Sequence, residues 1–388
     1  MITDFLAPVP DSILSDFENC HPEQIGSSIL AHREIEGLPN LQSIKVAIVG
    51  VMEDRGAYQN QGCAAGADAI RRYLYTLYQG RWAGGIADLG NIYRGETIED
   101  SHVALKEIIA EMLRRNIVTI ILGGSQDLTY AAYRAYDALE QSVNLTAIDS
   151  RFDLGENGKS LNSKNYLSHI VLNQPYNLYN FANIGYQTYF VNQEELNLME
   201  RMYFDIVRLG EVRGQIDETE PYLRNADLVS IDIHAIRQTD APGGSLWSSP
   251  HGLSGEEGCA LSRYAGLSDK CSCFGIFEYN PDNDKDGQTA HLGAHMVWYF
   301  LEGYFNRMQD YPFTSKKEYT LFRVLIEDGD HELVFYKSPK SGRWWVEVPI
   351  QTKENKRHTL VPCAHQDYLR ATKGEIPMRW WKALQKGM

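Results

Sequence analysis

Short apolar runs rich in β-branched residues punctuate the chain. The first clear one is 44–50, Ile-Lys-Val-Ala-Ile-Val-Gly, and others lie at 117–122, 145–148, 228–231 and 274–277. Such runs, bounded by glycine or polar residues, read as buried strands. Between them apolar positions recur at helical spacing, as over 101–116 and 290–305. Strands alternating with helices predict an α/β fold with a parallel sheet covered on both faces. After Tyr311-Pro312 the pattern changes. Residues 319–326, 332–336 and 343–348 read as strands, with the turn-rich Ser338-Pro-Lys-Ser-Gly342 before the last. The expected organisation is an N-terminal segment, 1–43, helical in part; a main domain, 44–311; and a small β-rich module, 312–388.

The polar residues at the strand ends of the main domain carry the chemistry. Gln126-Asp127, Asp149, Asp232 and Glu278 stand at the carboxyl ends of four strands. A single aspartate there is ordinarily a cap or turn residue. Four strands each presenting such a group point instead to one shared site, because parallel sheets build sites at that edge.

Composition narrows the partners. The net charge of −14 argues against a nucleic-acid ligand, which needs a basic face. No apolar run approaches the ~18 residues that span a bilayer. The opening Met1-Ile-Thr-Asp-Phe-Leu lacks the basic and apolar regions of a signal peptide, so a cytoplasmic protein is expected. The six cysteines are scattered, which speaks against a disulfide framework, and Cys271-Ser-Cys273 lacks the second pair of a zinc site. In the module, Trp344, Trp345, Trp380 and Trp381 are either anchors for a protein partner or pins that hold the module to the main domain.

Gly50-Val-Met-Glu-Asp-Arg-Gly56, Asn60-Gln-Gly62, Asp88-Leu-Gly90, Gly123-Gly-Ser-Gln-Asp127, Asp149-Ser-Arg-Phe-Asp153, Ser230-Ile-Asp-Ile-His234, Gly252-Leu-Ser254 and Glu278-Tyr-Asn-Pro281 occur in this order. The ordered set resembles the ureohydrolase (arginase, agmatinase, formimidoylglutamase) superfamily, most closely its formimidoylglutamase branch. The resemblance runs from about residue 44 to 305. It implies a three-layer α/β/α sandwich, a hydrolase of C–N bonds in linear amidines or guanidines, two manganese ions held by two histidines and four aspartates, and a homo-oligomer.

The departures from that pattern matter as much. By position, Gln126 and Arg151 replace the two histidines and His234 replaces the last aspartate, while Asp149, Asp153 and Asp232 remain, as does Glu278. Gln126, Asp149, Asp153 and Asp232 all offer oxygen and suit a hard divalent ion, with His234 as a further, weak ligand. Arginine has no lone pair to give. Its charge, set against three aspartates, leaves about −2, which one divalent ion neutralises. Arg151 thus reads as an internal substitute for one metal or a ligand-binding cation, unless it turns outward to a salt bridge elsewhere. At most one Mn²⁺ or Mg²⁺, held weakly, is expected. His234 is otherwise a structural histidine, a neutral hydrogen-bond partner or a general base. His169 is either a proton shuttle over the site mouth or an ordinary histidine, and Glu278 is the candidate group for a cationic substrate. The lost ligands favour a non-catalytic homologue that binds a ligand or, through the C-terminal module, a protein partner. The alternative is an active hydrolase that uses one metal or a remodelled site.

Overall fold

The computed structural model describes residues 2–17, 20–82, 84–139, 141–155, 159–312, 316–326, 332–351 and 356–387. Ten strands form one sheet: β1 (Leu6–Ala7), β2 (Leu30–Ala31), β3 (Val46–Val51), β4 (Ile86–Ile92), β5 (Val118–Leu122), β6 (Val143–Ile148), β7 (Leu178–Tyr186), β8 (Asp205–Arg208), β9 (Leu228–Asp232) and β10 (Cys273–Phe277). Their spatial order is β1-β4-β3-β5-β10-β9-β6-β7-β8, with β2 also on β4. Every pairing from β4 across to β8 is parallel, and β1 runs antiparallel to β4.

Alternating strand residues build the two faces. Ile48, Ile120, Leu122, Ile148, Ile231 and Ile276 pack on one side with helices Gly66–Leu74, Gly255–Gly266 and Gln288–Phe305. Val49, Ile121, Leu145, Ala147 and Phe277 pack on the other with Ile98–Arg114, Leu128–Arg134 and Tyr166–Leu172. The result is the three-layer α/β/α arrangement. No described helix is long and apolar enough to cross a membrane.

Two parts of the sheet differ from the sequence pattern. The N-terminal segment, read as partly helical, forms short helical turns but also gives the sheet β1 and β2. Asp88 lies inside β4 rather than at its end, and its carboxylate is buried against Arg71 Nε and Nη2 at 2.8 and 2.9 Å and Tyr75 Oη at 2.9 Å.

The C-terminal module is a separate antiparallel sheet in the order β11 (Thr320–Leu325), β12 (Glu332–Lys337), β13 (Trp344–Gln351), β14 (Lys356–Cys363). Helices His365–Ala371 and Met378–Lys386 follow it. β14 escaped the sequence pattern because it opens on Lys-Arg-His-Thr, with no apolar residue before Leu360. Three of the four tryptophans are used within the chain. Trp344 and Trp380 are 6% exposed in the module core, and Trp345, 0% exposed, lies under the Arg224 guanidinium of the main domain, 4.5 Å from its ring centroid. Trp381 alone of the four stays open, at 42%. Arg224 also donates to the Cys363 carbonyl at 2.9 Å, so one buried arginine ties the module to helix Glu220–Asn225 of the main domain.

Candidate metal centre

Strand register brings the site together. Leu122 pairs with Ile276, Ile276 with Ile231, and Ile231 with Ile148, a single row across β5, β10, β9 and β6. The residues just beyond that row are the ones with chemistry. Asp149 and Asp232 leave adjacent strands at the same level, and Glu278 leaves β10 beside them.

The loop after β5 is fixed by close backbone approach. A Cβ on Gly124 would sit 1.8 Å from the Glu53 carbonyl oxygen, so only glycine fits. Glu278 N donates to the Gly124 carbonyl at 2.8 Å. In return Glu278 Oε1 accepts from Gln126 N at 2.9 Å, and its Oε2 accepts from Asn60 Nδ2 at 2.7 Å. Gln126 Nε2 donates to Ser230 Oγ at 2.9 Å. Asp153 and Glu278 both adopt positive φ, 50° and 63°, a conformation costing a non-glycine residue about 1 kcal/mol or more.

Asp149, Asp153 and Asp232 are all buried, and their ligand oxygens lie within 4.8 Å of one another. Asp149 Oδ1 accepts from Arg151 N at 2.9 Å, and Asp232 Oδ1 from His234 N at 2.7 Å. Burial, then repulsion from Asp153 and Asp232, holds the Asp149 carboxyl far above the usual carboxylate range. Burial also raises Asp153, against the opposing pull of Lys164. For Asp232 burial is outweighed by its contacts with His234, and its pKa falls. Burial and the Asp232 charge push Glu278 up to about 7.

His234 is engaged at one of its ring nitrogens. Ser245 N and Oγ lie 2.9 and 2.8 Å from its Nε2. A backbone N–H can only donate, so Nε2 is the acceptor and the neutral ring carries its proton on Nδ1. Nδ1 is 2.7 Å from Asp232 Oδ1, close but off the line of a hydrogen bond. Ser245 thus engages Nε2, while Nδ1 faces Asp232 without a hydrogen-bond partner.

Arg151 also departs from expectation. Its guanidinium lies 3.9 Å from the Phe190 ring centroid and 5.5 Å from that of Trp247, and its Nη1 donates to Ser150 Oγ at 3.2 Å. It does not fork onto the aspartates, because stacking on two aromatic faces already holds it. The cation that reaches the triad is Lys164, whose Nζ is 3.9 Å from Asp153 Oδ1 and 5.4 Å from the Trp247 centroid.

His169 is not brought to the site. It sits in helix Tyr166–Leu172 with its ring against Tyr130 and its Nε2 near the Lys159 carbonyl. One turn earlier in that helix is Tyr166, fully buried, whose hydroxyl is kept protonated by burial and by the charges of Asp153 and Asp149. Sequence reasoning missed Lys164, Tyr166, Ser245 and Trp247. The only signal for any of them was Lys164 and Tyr166 lying in the segment after Asp153.

The Arginase family profile matches residues 44–302. The chain belongs to the arginase family. Its relatives include the formimidoylglutamase of Lysinibacillus sphaericus, 25% identical over 268 residues, 65% of this chain and 82% of that protein. The formimidoylglutamase of Staphylococcus aureus is 26% identical over 274 residues, covering 66% and 86%. Among solved structures, Trypanosoma cruzi formiminoglutamase with Mn²⁺ superposes with a TM-score of 0.65 at 20% identity, over 73% of this chain and 99% of that one. Bacillus subtilis formimidoylglutamase gives 0.63 at 19% identity, over 70% and 91%. The family match ends before β11, so the C-terminal module lies outside it.

The arginase-family site suits a cation on its own geometry. Asp149 Oδ2 and Asp153 Oδ1 are buried acceptors without a hydrogen-bond partner. Buried acceptors are ordinarily satisfied. Two unsatisfied oxygens within a cluster of three carboxylates form the oxygen-rich donor set that a hard divalent ion takes.

Proposed function

We propose that this arginase-family chain holds one divalent cation, Mn²⁺ or Mg²⁺, through Gln126, Asp149, Asp153 and Asp232, and binds a linear amidine or guanidine without full two-metal hydrolysis. The observation that supports this reading is the oxygen-rich set itself: three buried carboxylates within 4.8 Å of one another, with Asp149 Oδ2 and Asp153 Oδ1 unpartnered. Ser245 occupies His234 Nε2, and Arg151 turns to Phe190. A bound cation supplies Lewis acidity to a ligand atom or a water. Glu278 would face the amidinium. Each of its oxygens accepts one hydrogen bond from the protein and retains a lone pair for a ligand N–H. Trp247 and Tyr58, with ring centroids 5.7 Å apart, offer aromatic surface beside Lys164 and Arg151. The names of the relatives point to N-formimidoyl-glutamate as the first ligand to try.

A second reading, residual hydrolysis with one metal, is favoured by the triad itself. Three clustered buried carboxylates are costly, and a merely structural role gives no reason to keep them. Calorimetry and ammonia release with N-formimidoyl-glutamate, agmatine and arginine, in excess Mn²⁺, separate the two. Binding without turnover supports the first reading. Turnover that Asp232→Asn abolishes supports the second. Neither binding nor turnover with any of the three sinks both.

A further inference from the structure

Removing Arg151 from the carboxylates leaves a question of charge. Asp149, Asp153 and Asp232 are packed within 4.8 Å, and a single divalent ion leaves one negative charge over. Among the described residues Lys164 is the cation that the ion-pair geometry places on this cluster, 3.9 Å from Asp153 Oδ1. Its side chain is three-quarters buried, 25% exposed, and its ammonium lies against the Trp247 face. That ring limits its movement away from the cluster, and Trp247 is in turn backed by Tyr58. Asp153 holds its positive φ at the start of the segment that returns Lys164 to the site, and Asn165 beside it is buried.

We propose that Lys164 is a tethered cation that takes the place of a second metal ion, fixing the loading of this site at one. The inference rests on the one-metal reading above. With Lys164 in place the three aspartates are balanced by one monovalent and one divalent charge. The tether also explains how the fold tolerates the cluster before metal arrives, since an ammonium 3.9 Å from Asp153 offsets part of the mutual repulsion. Its effect on affinity follows from Coulomb's law. An ion held by Asp153 lies roughly 5 Å from a lysine whose Nζ is 3.9 Å from the same carboxylate, and at that range a monovalent and a divalent cation repel by about tenfold in affinity even at water's dielectric constant.

The test compares wild type, Lys164→Gln, Lys164→Arg and Arg151→Gln, using Mn²⁺ calorimetry and apo-protein unfolding in EDTA. Lys164→Gln should bind Mn²⁺ about tenfold or more tightly than wild type, while its apo form melts at a lower temperature. Lys164→Arg keeps the charge and should match wild type in both, and Arg151→Gln, which removes a smaller charge effect on Asp153, should tighten Mn²⁺ binding less than Lys164→Gln does. Equal Mn²⁺ affinity in Lys164→Gln and wild type overturns the proposal and leaves the one-metal reading standing. If no variant binds Mn²⁺, the one-metal reading fails and apo stability decides alone. A lower melting temperature in Lys164→Gln, rescued in Lys164→Arg, then supports the charge role, and an unchanged one overturns it.

Discussion

Asp149→Asn should stabilise the metal-free protein while removing its metal binding. The ligand oxygens of the triad lie within 4.8 Å, and two unit charges at that distance repel by about 3.5 kcal/mol at an effective dielectric constant near 20, or about 1 kcal/mol at water's value. Asp149 faces two such neighbours, and Lys164 offsets part of their effect. A net relief of about 1–3 kcal/mol is expected, equivalent to a rise of a few degrees in melting temperature for a chain of this size. The substitution keeps the fold's other contacts. Asparagine Oδ1 can still accept from Arg151 N, and its amide can donate to the unpartnered Asp153 Oδ1. The pH dependence has a definite sign. A carboxyl whose folded pKa is raised destabilises the fold as pH climbs above its unfolded value near 3.9, so the variant's advantage grows from mildly acidic pH to pH 8 and is absent below about pH 4. Urea unfolding in EDTA at pH 4.5 and pH 8 measures it, with Mn²⁺ titration of the same samples. A variant less stable than wild type at pH 8 in EDTA would refute the picture of three repelling carboxylates.

Two further expectations concern the frame around the site. Arg71→Met should cost about 3–5 kcal/mol in urea unfolding, because it strands the fully buried Asp88 carboxylate, and Asp88→Asn in the same chain should recover part of that loss. Glu53 is buried, which raises its pKa, but hydrogen bonds from Arg55 and Ser101 outweigh that and hold it below the usual value. Its contribution is therefore present above the unfolded value near 4.3 and lost as pH falls through the lowered one, so Glu53→Gln should flatten the acid limb of the stability profile and cost about 1–2 kcal/mol at pH 7.

The sheet and the position of the site were legible in the chain because both depend on local signals. A buried parallel strand needs an apolar run, and its carboxyl end is marked by the residue after it, which is how Asp149, Asp232 and Glu278 could be placed on one edge. Side-chain direction is not a local property. The apparent metal substitute was Arg151, but its guanidinium follows Phe190 and Trp247, which come from two distant loops. His234 was left between a weak ligand, a hydrogen-bond partner, a structural histidine and a general base, because Ser245, eleven residues on, was not visible as the partner of its Nε2. Lys164 carries no motif, and only the return of its loop over Asp153 gives it a role. In the module, β14 was hidden by the charged residues at its start, and the tryptophans that suggested a partner surface are, for Trp344, Trp345 and Trp380, buried in the chain itself.

The number of metal ions per chain tests the account most directly. The full-length protein, incubated with excess Mn²⁺, desalted and analysed for metal and for protein by amino-acid content, should retain no more than one ion per chain, and Asp153→Asn should retain none. Two ions per chain, held through desalting, would contradict the single-cation site and the roles assigned to His234 and Lys164.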